Sequence, residues 1–350
     1  MFPITHIRFE LRAETDIQLR QNGGAKIRGA IYNRLAQFCP FCFSNQYLPG
    51  HWNYCPVCRV IGQHPNGRFG GTAPKAISIQ YTGDTTIHAG ETWHFDVFLI
   101  GNQDKFIPYL VSAVQRFSDG VGDIEPCTGK RGSAELLAAK SIYTNYTDDV
   151  IVYSKNSEKI KIPPKIALAN ISEIAIISNI LEWNNCTKMR LIFLSPVQIV
   201  ENETIWRHFN NFRTFFHRLL DRIADLNRLY GNGEVIPTKS LLHLANRVKV
   251  VEDNCRWLAA PASCNVRDKR LSPTSGLSGD VVIEAKAPVI RQLYPYLYIG
   301  QMTGVGKTVS KGNGIFRIFS VKEGLSRPTI SSANDKLSTE FTENKYIFET

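Results

Sequence analysis

Two stretches of this chain hold residue types at spacings that can do chemistry. Cys39-Pro-Phe-Cys42 and Cys55-Pro-Val-Cys58 are CxxC pairs with twelve residues between them. That spacing lets four thiolates converge tetrahedrally on one Zn²⁺. Pro49-Gly50 stands in the connecting segment and suits a hairpin return. Four sulfurs fill the coordination sphere, so the expected site, with Cys39, Cys42, Cys55 and Cys58 as ligands, is structural. An iron–sulfur cluster and a dithiol redox pair are the alternatives. The second stretch runs from Gly300 to Gly314 and holds five glycines with Lys307 and Lys311. Glycine permits backbone conformations closed to other residues and brings N–H groups close to an anion. Gly304, Gly306, Gly312 and Gly314 with the two lysines are therefore expected to bind a nucleic-acid backbone. Gly306-Lys307-Thr308 mimics the end of a nucleotide-binding P-loop, but the first glycine of that motif is missing. A plain flexible connector is the other reading.

The elements that must position these residues follow from periodicity. Ile4 to Leu11 alternates apolar and polar residues as a strand does, Asn22-Gly23-Gly24 reads as a turn, and Ala25 to Phe38 has helical spacing. Strands are expected at Ala76–Tyr81 and Thr92–Ile100, a helix opened by Pro108, and a strand from Ala134. Strand, helix, strand, strand, helix, strand is the ferredoxin-like order, whose open sheet face is a common RNA platform. The order repeats with a strand at Lys188–Leu194, a long helix from about Thr204 to Tyr230, strands at Cys255–Val266 and Gly279–Glu284, and a helix from Pro288 to about Tyr298. Arg207, Arg213, Arg218, Arg222 and Arg228 lie mostly outside the apolar stripe of the long helix. They face either RNA or solvent, with Asp221 and Asp225 as partners.

The fold expected is α+β: two tandem ferredoxin-like (RRM-like) domains, 1–155 and 165–322, with a zinc ribbon at about 39–58 in the first and a polar tail over 323–350. The chain has 350 residues and a formal charge of +10, with a pI near 9.2. That balance favours polyanionic partners. The N-terminus lacks a secretion-signal core, and the apolar stretch Ile160–Trp183 is broken by prolines, Lys165 and Glu173. A cytoplasmic protein without a membrane partner is expected. Cys127, Cys186, Cys255 and Cys264 stand singly and read as small buried apolar residues.

Ile27-Arg-Gly-Ala-Ile-Tyr-Asn-Arg-Leu35 ahead of the cysteines, Leu194-Ser-Pro-Val197 before the long helix, Arg267-Asp-Lys-Arg-Leu-Ser272 followed by Gly276-Leu-Ser-Gly279, and the glycine-rich loop occur in that order. Together they resemble the CRISPR precursor-RNA-processing endoribonucleases of the RAMP superfamily, in the subgroup with a zinc ribbon after the first helix. The resemblance implies cleavage within the repeat of a CRISPR transcript by metal-independent attack of a ribose 2′-OH on the adjacent phosphate. The cofactors implied are a structural Zn²⁺ and no catalytic metal, and the partners are CRISPR repeat RNA and other subunits of a CRISPR effector complex. It also implies His64 as general base or acid, Tyr32 as a group orienting the hydroxyl, and Arg68 or Lys75 as phosphate stabiliser, with His51 as the runner-up base. Turn chemistry around Pro65-Asn66-Gly67 would also account for His64, and helix packing for Tyr32. RNA contacts are expected from Arg28, Arg267, Lys269, Arg270 and the glycine loop.

The chain departs from the family pattern at Gly304, where many relatives carry a histidine, and at Lys311, where an aromatic is usual. If that histidine were required, the protein would bind repeat RNA without cutting it, or cut through its first domain alone. A non-catalytic RAMP subunit is thus the competing reading, and a zinc-ribbon DNA-binding protein a third.

Overall fold

The structure, a computed structural model, describes residues 1–39, 50–62, 74–142, 150–157, 159–163, 185–259, 263–264, 271–272 and 274–321. They form two compact units, one of residues 3–163 with 310–312, the other of residues 1–2, 185–309 and 313–321. Cys42, His64, Arg68, Arg267, Lys269, Arg270, the apolar stretch 164–183 and the tail lie outside the described residues.

The first unit runs β1 (Ile4–Ala13), α1 (Gly23–Leu35), the short helices α2 (His51–Tyr54) and α3 (Pro56–Val60), β2 (Ile77–Gln80), β3 (Thr92–Ile100), α4 (Ile107–Gln115), β4 (Ala134–Ser141) and β5 (Val150–Ser154). Its sheet has the antiparallel order β2-β3-β1-β4-β5. Without β5 this is the ferredoxin-like arrangement. Alternation along β1 divides the sheet into two faces. Ile7, Phe9 and Leu11 pair with Val97, Phe95 and Trp93 of β3, and all six are buried. Phe9 stacks on Phe95 at 5.1 Å between ring centroids, and Phe95 meets Phe117 at 6.1 Å. Burying each such side chain contributes about 1.5–3 kcal/mol. The alternate positions carry charge: Arg8 donates to Asp96 at 2.9 Å, Lys140 to Glu10 at 2.8 Å and Arg12 to Glu135 at 2.8 Å. His6 also bonds Asp96, at 2.9 Å. His6 and both oxygen-bound contacts of Arg8 hold the Asp96 carboxyl far below the usual carboxylate range against the opposing effect of burial.

The second unit runs β6 (Lys188–Val197), α5 (Phe212–Tyr230), α6 (Thr238–Ala245), β7 (Lys249–Asp253), β8 (Arg256–Leu258), β9 (Gly276–Glu284), α7 (Ala287–Thr303) and β10 (Phe316–Ser320). The order β7-β9-β6-β10, with β8 also on β9, repeats the ferredoxin-like arrangement. Its core joins Phe193 of β6 to Phe215 of α5 at 5.8 Å, and Phe215 to Phe316 of β10 at 5.6 Å.

Several elements differ from the sequence-based expectation: the expected strand Cys255–Val266 is reduced to Arg256–Leu258 and Ser263–Cys264, and β5, β7 and α6 were not expected. Helix α1 begins at Gly23, inside the expected turn. The long helix starts at Phe212 and not near Thr204, because Val200–Glu201 pairs with Thr204–Ile205 across Asn202 and Glu203 at positive φ. Asn211 then caps α5, its side-chain oxygen accepting from the Thr214 N–H at 2.8 Å. Helix α7 runs through Thr303, so Gly300 is a helical residue. A Cβ there would lie 2.7 Å from Phe316 and 2.9 Å from Leu219, so glycine is needed where α7 approaches β10 and α5. No helix among the described residues is long and apolar enough to cross a membrane.

Candidate active site and metal centre

Ile27, Ala30, Ile31 and Leu35 turn one face of α1 into the core of the first unit. Arg28 and Tyr32, four residues apart, therefore lie together on another face. The Arg28 guanidinium carbon stands 5.4 Å from the centre of the Tyr32 ring, and an Arg28 nitrogen reaches the Ile61 carbonyl at 3.5 Å. Lys75, just before β2, donates to the next carbonyl, that of Gly62. The turn after α3 thus gathers two cations onto adjacent carbonyl oxygens. Among the described residues, no carboxylate pairs with either cation, and the buried Nε of Arg28 makes no hydrogen bond.

Electrostatics follow from this crowding. Burial, and then the neighbouring Arg28 charge, bring the Lys75 ammonium down to about 7, with Cys58 opposing the shift. Burial lowers Arg28 as well, but a guanidinium keeps its proton at any physiological pH. The pair therefore combines a fixed positive charge with an amine that exchanges its proton near neutrality. Two half-buried cations with no carboxylate partner among the described residues make a place for an anion.

The candidate metal ligands lie after α1, in α2 and between α2 and α3. Donor atoms of Cys39, His51 and Cys55 all lie within 4.8 Å of one another, with the Cys39 sulfur 3.4 Å from His51 Nε2. The local backbone explains the grouping. Gly50, at φ +79°, turns the chain into α2, and the Cys55 N–H donates to the His51 carbonyl at 3.0 Å, placing the two ligands one helical turn apart. Two features differ from the expected four-cysteine set. His51 is grouped with Cys39 and Cys55, where it can serve as a ligand. Cys58 is not in the group: Pro56 starts α3, and Cys58 is buried within it, its sulfur 3.0 Å from the position a Cβ on Gly62 would take. Two thiols and an imidazole are the donor set of a Zn²⁺ site lacking one ligand. Of the connecting segment, His51–Tyr54 is helical, and residues 40–49, which include most of the expected hairpin, lie outside the described residues.

The glycine-rich loop packs inward. Four of its N–H groups are taken by the protein: Gly304 donates to Gly300, Val305 to Gly314, Lys307 to Gln198 at 3.1 Å and Gly314 to Pro196 at 3.0 Å. Gly306 and Gly314 have positive φ and lie so close to the Gln198 and Val305 carbonyls that a Cβ would stand 2.4 Å and 2.0 Å away. Gly312, in the first unit, lies against Gly24. The expected anion cradle of Gly304 and Gly314 is therefore corrected to a packing role, since no donor is left on them for a phosphate. Lys307 is exposed and Lys311 half-buried.

The arginines of α5 are likewise mostly structural. Arg218 donates to the Val200 carbonyl at 3.0 Å and pairs with Asp221 at 3.3 Å, and Arg222 donates to Thr303 at the end of α7 at 2.8 Å. Arg228 pairs with Asp225 at 3.6 Å. Proximity of Arg28 to Tyr32 was legible from their helical spacing. The meeting of Arg28 with Lys75 was not, because 46 residues separate them.

The family described as CRISPR-associated endoribonuclease Cas6 matches residues 191–316, and a second family, described as an N-terminal domain, matches residues 2–165. Among solved structures, a partial Cas6-RT-Cas1–Cas2 complex is similar over 94% of this chain and 48% of its own, with a TM-score of 0.58 and 13% identity. The chain thus spans about half the length of that relative. Thermus thermophilus Cas6 is similar over 91% of this chain and 99% of its own, with a TM-score of 0.50 and 14% identity. A Cas6 product complex gives a TM-score of 0.51 at 13% identity over 91% of this chain and 100% of its own. At these identities the likeness is one of fold. No curated protein matches the sequence.

Proposed function

We propose that this chain, which belongs to the Cas6-type, RAMP-class family of CRISPR precursor-RNA-processing proteins, is an endoribonuclease that cuts repeat RNA through its first unit. The observation that carries the reading is the pair of cations Arg28, which lies over Tyr32, and Lys75, on adjacent carbonyls and without a carboxylate partner among the described residues. A scissile phosphate supplies the missing negative charge. In-line attack needs a base for the 2′-OH, charge on the phosphorane and a proton for the leaving 5′-oxygen. Neutral Lys75 or His64 takes the 2′-OH proton. The freed oxygen bonds to phosphorus, the P–O5′ bond breaks, and the other group protonates O5′, leaving a 2′,3′-cyclic phosphate and a 5′-hydroxyl. Arg28 and Arg68 hold the phosphorane charge and Tyr32 orients the ribose. None of these steps calls on a metal.

Zn²⁺ would be held by Cys39, His51 and Cys55, with Cys42 as fourth ligand, in a closed site that orders the segment after α1. Lys307, Lys311, Arg267, Lys269 and Arg270 supply further RNA contacts. The protein acts in the cytoplasm on CRISPR repeat RNA, with other subunits of a CRISPR effector as further partners.

A non-catalytic RNA-binding subunit is the second reading, and Gly304 favours it. At φ +72°, with Val309 2.6 Å from where a Cβ would stand, this position has no room for the histidine of relatives. Incubation of purified protein with its repeat RNA in EDTA decides between the readings. A discrete cut that disappears in His64→Ala and Lys75→Ala is expected, and tight binding without a cut by wild type would leave the subunit.

A further inference from the structure

A second feature lies wholly within the second unit. Arg207 stands on the short segment between the Val200–Ile205 hairpin and α5, and its guanidinium carbon lies 3.9 Å from the centre of the Trp257 ring. Arg207 is exposed and Trp257 half-buried. Among the described residues, Arg207 has no carboxylate partner, so its charge is used here only by the indole.

The support beneath the pair is rigid. Trp206 and Phe209, on either side of Arg207 and His208, are both buried. Trp206 donates its indole N–H to Glu201 at 3.0 Å and its backbone N–H to Ile199 at 3.0 Å. Glu201 also accepts from the Thr214 hydroxyl at 2.6 Å, tying the segment to the first turn of α5. Phe209 sits 5.9 Å from Phe193 and 5.6 Å from Phe215, in the core. Trp257 is carried by β8, paired with the buried Leu277 of β9. Arg207 is thus presented outward from a fixed backbone, and its ring partner comes from a strand.

We propose that Arg207 and Trp257 form a stacking platform for an unpaired base of RNA. A guanidinium plane resting on an aromatic ring offers its second face, and unstacked bases are bound on such faces. Every base has a π-face, so the platform takes single-stranded RNA without reading its sequence. An acidic peptide is the competing ligand, since a carboxylate would pair with the edge of the guanidinium instead. The proposal rests on the RNA-processing reading and extends it from the cut to the segment flanking a repeat hairpin.

The test uses the full-length protein with one repeat hairpin, prepared bare and with a single-stranded flank. Arg207→Lys keeps the charge and removes the plane, and Trp257→Phe keeps an apolar ring and narrows the platform. Both should lower affinity for the flanked RNA roughly tenfold while leaving the bare hairpin unchanged. A short unstructured RNA should quench wild-type tryptophan fluorescence, with the quench reduced in Trp257→Phe. Unchanged affinity for flanked RNA in both variants, or equal losses on the two RNAs, would overturn the platform. Cleavage of the bare hairpin is scored in parallel. If wild type fails to cut while the flank effect persists, the nuclease reading falls and the platform stands.

Discussion

The two units share one topology, and the cations beside the candidate site of the first are held differently from the arginines on the long helix of the second. In the first, Arg28 and Lys75 rest on the neighbouring carbonyls of Ile61 and Gly62 with no carboxylate paired to them among the described residues. In the second, the helix that occupies the same place in the element order spends its arginines on the fold. Arg218 and Arg222 donate to backbone carbonyls, and Arg218 and Arg228 pair with aspartates one turn away. The difference teaches that a basic helix is not a site by composition. Charge becomes available to a ligand where the fold leaves it without a counter-ion, and burial then tunes it.

The largest effect expected from that contrast is on catalysis. Lys75→Ala should lower the cleavage rate by about 10²–10⁴-fold, the range for a positioned proton carrier. Arg222→Met should leave the rate of the folded protein nearly unchanged and lower its melting temperature, having lost a charged hydrogen bond worth about 1.5–3 kcal/mol. Comparable rate losses in the two variants would erase the distinction between the units.

The pH profile sharpens it. With Lys75 as the base, log kcat/KM rises as pH increases and levels off above about 7, where the amine is neutral. Lys75→Arg should lose activity and that inflection together. If activity falls as pH rises through the same point, Lys75 works as the protonated phosphate stabiliser, and His64 is the base.

Stability should respond in a related way. The folded-state pKa of Lys75 lies below its unfolded value of 10.5, so the unfolded chain holds more protons between about 7 and 10.5. Stability therefore rises with pH across that window. Lys75→Met should flatten this rise and raise the melting temperature near pH 7, measured by thermal unfolding at a series of pH values. A higher melting temperature with lost cleavage would mark Lys75 as kept for function at a cost to the fold.

The smallest expected effect separates the cysteines. His51→Ala should reduce bound zinc below the roughly one ion per chain expected of such a site, and Cys58→Ser should retain it, by metal analysis after purification without chelators. Equal zinc loss in both would restore Cys58 to the ligand set.

Much of the architecture was legible because strand and helix periods are local. The alternation Ile7, Phe9, Leu11 announces a two-faced strand, and the spacing of Phe212, Phe216 and Leu219 a helix packed on one side. The start of α5 is not legible in the sequence because Ile205 and Phe209 continue the helical spacing of apolar residues. The turn at Asn202 and Glu203 and the Asn211 cap decide otherwise, and both depend on contacts that the apolar count does not weigh. The CxxC pairs pointed to a metal centre, and among the described residues helical geometry groups His51, not Cys58, with Cys39 and Cys55.

By itself the sequence determined the order of elements, the two sheets' apolar faces, the basic balance and the presence of metal-ligating side chains, since each depends on residue type at short spacing. The tertiary structure alone decided which cations have no carboxylate partner among the described residues. Arg28 meets Lys75, and Arg207 meets Trp257, only after the chain folds. In the same way the glycine loop's N–H groups found carbonyl partners in Pro196 and Gln198. The physical reason is that a group's availability to a ligand depends on its neighbours in space, and for these residues those neighbours are remote in sequence.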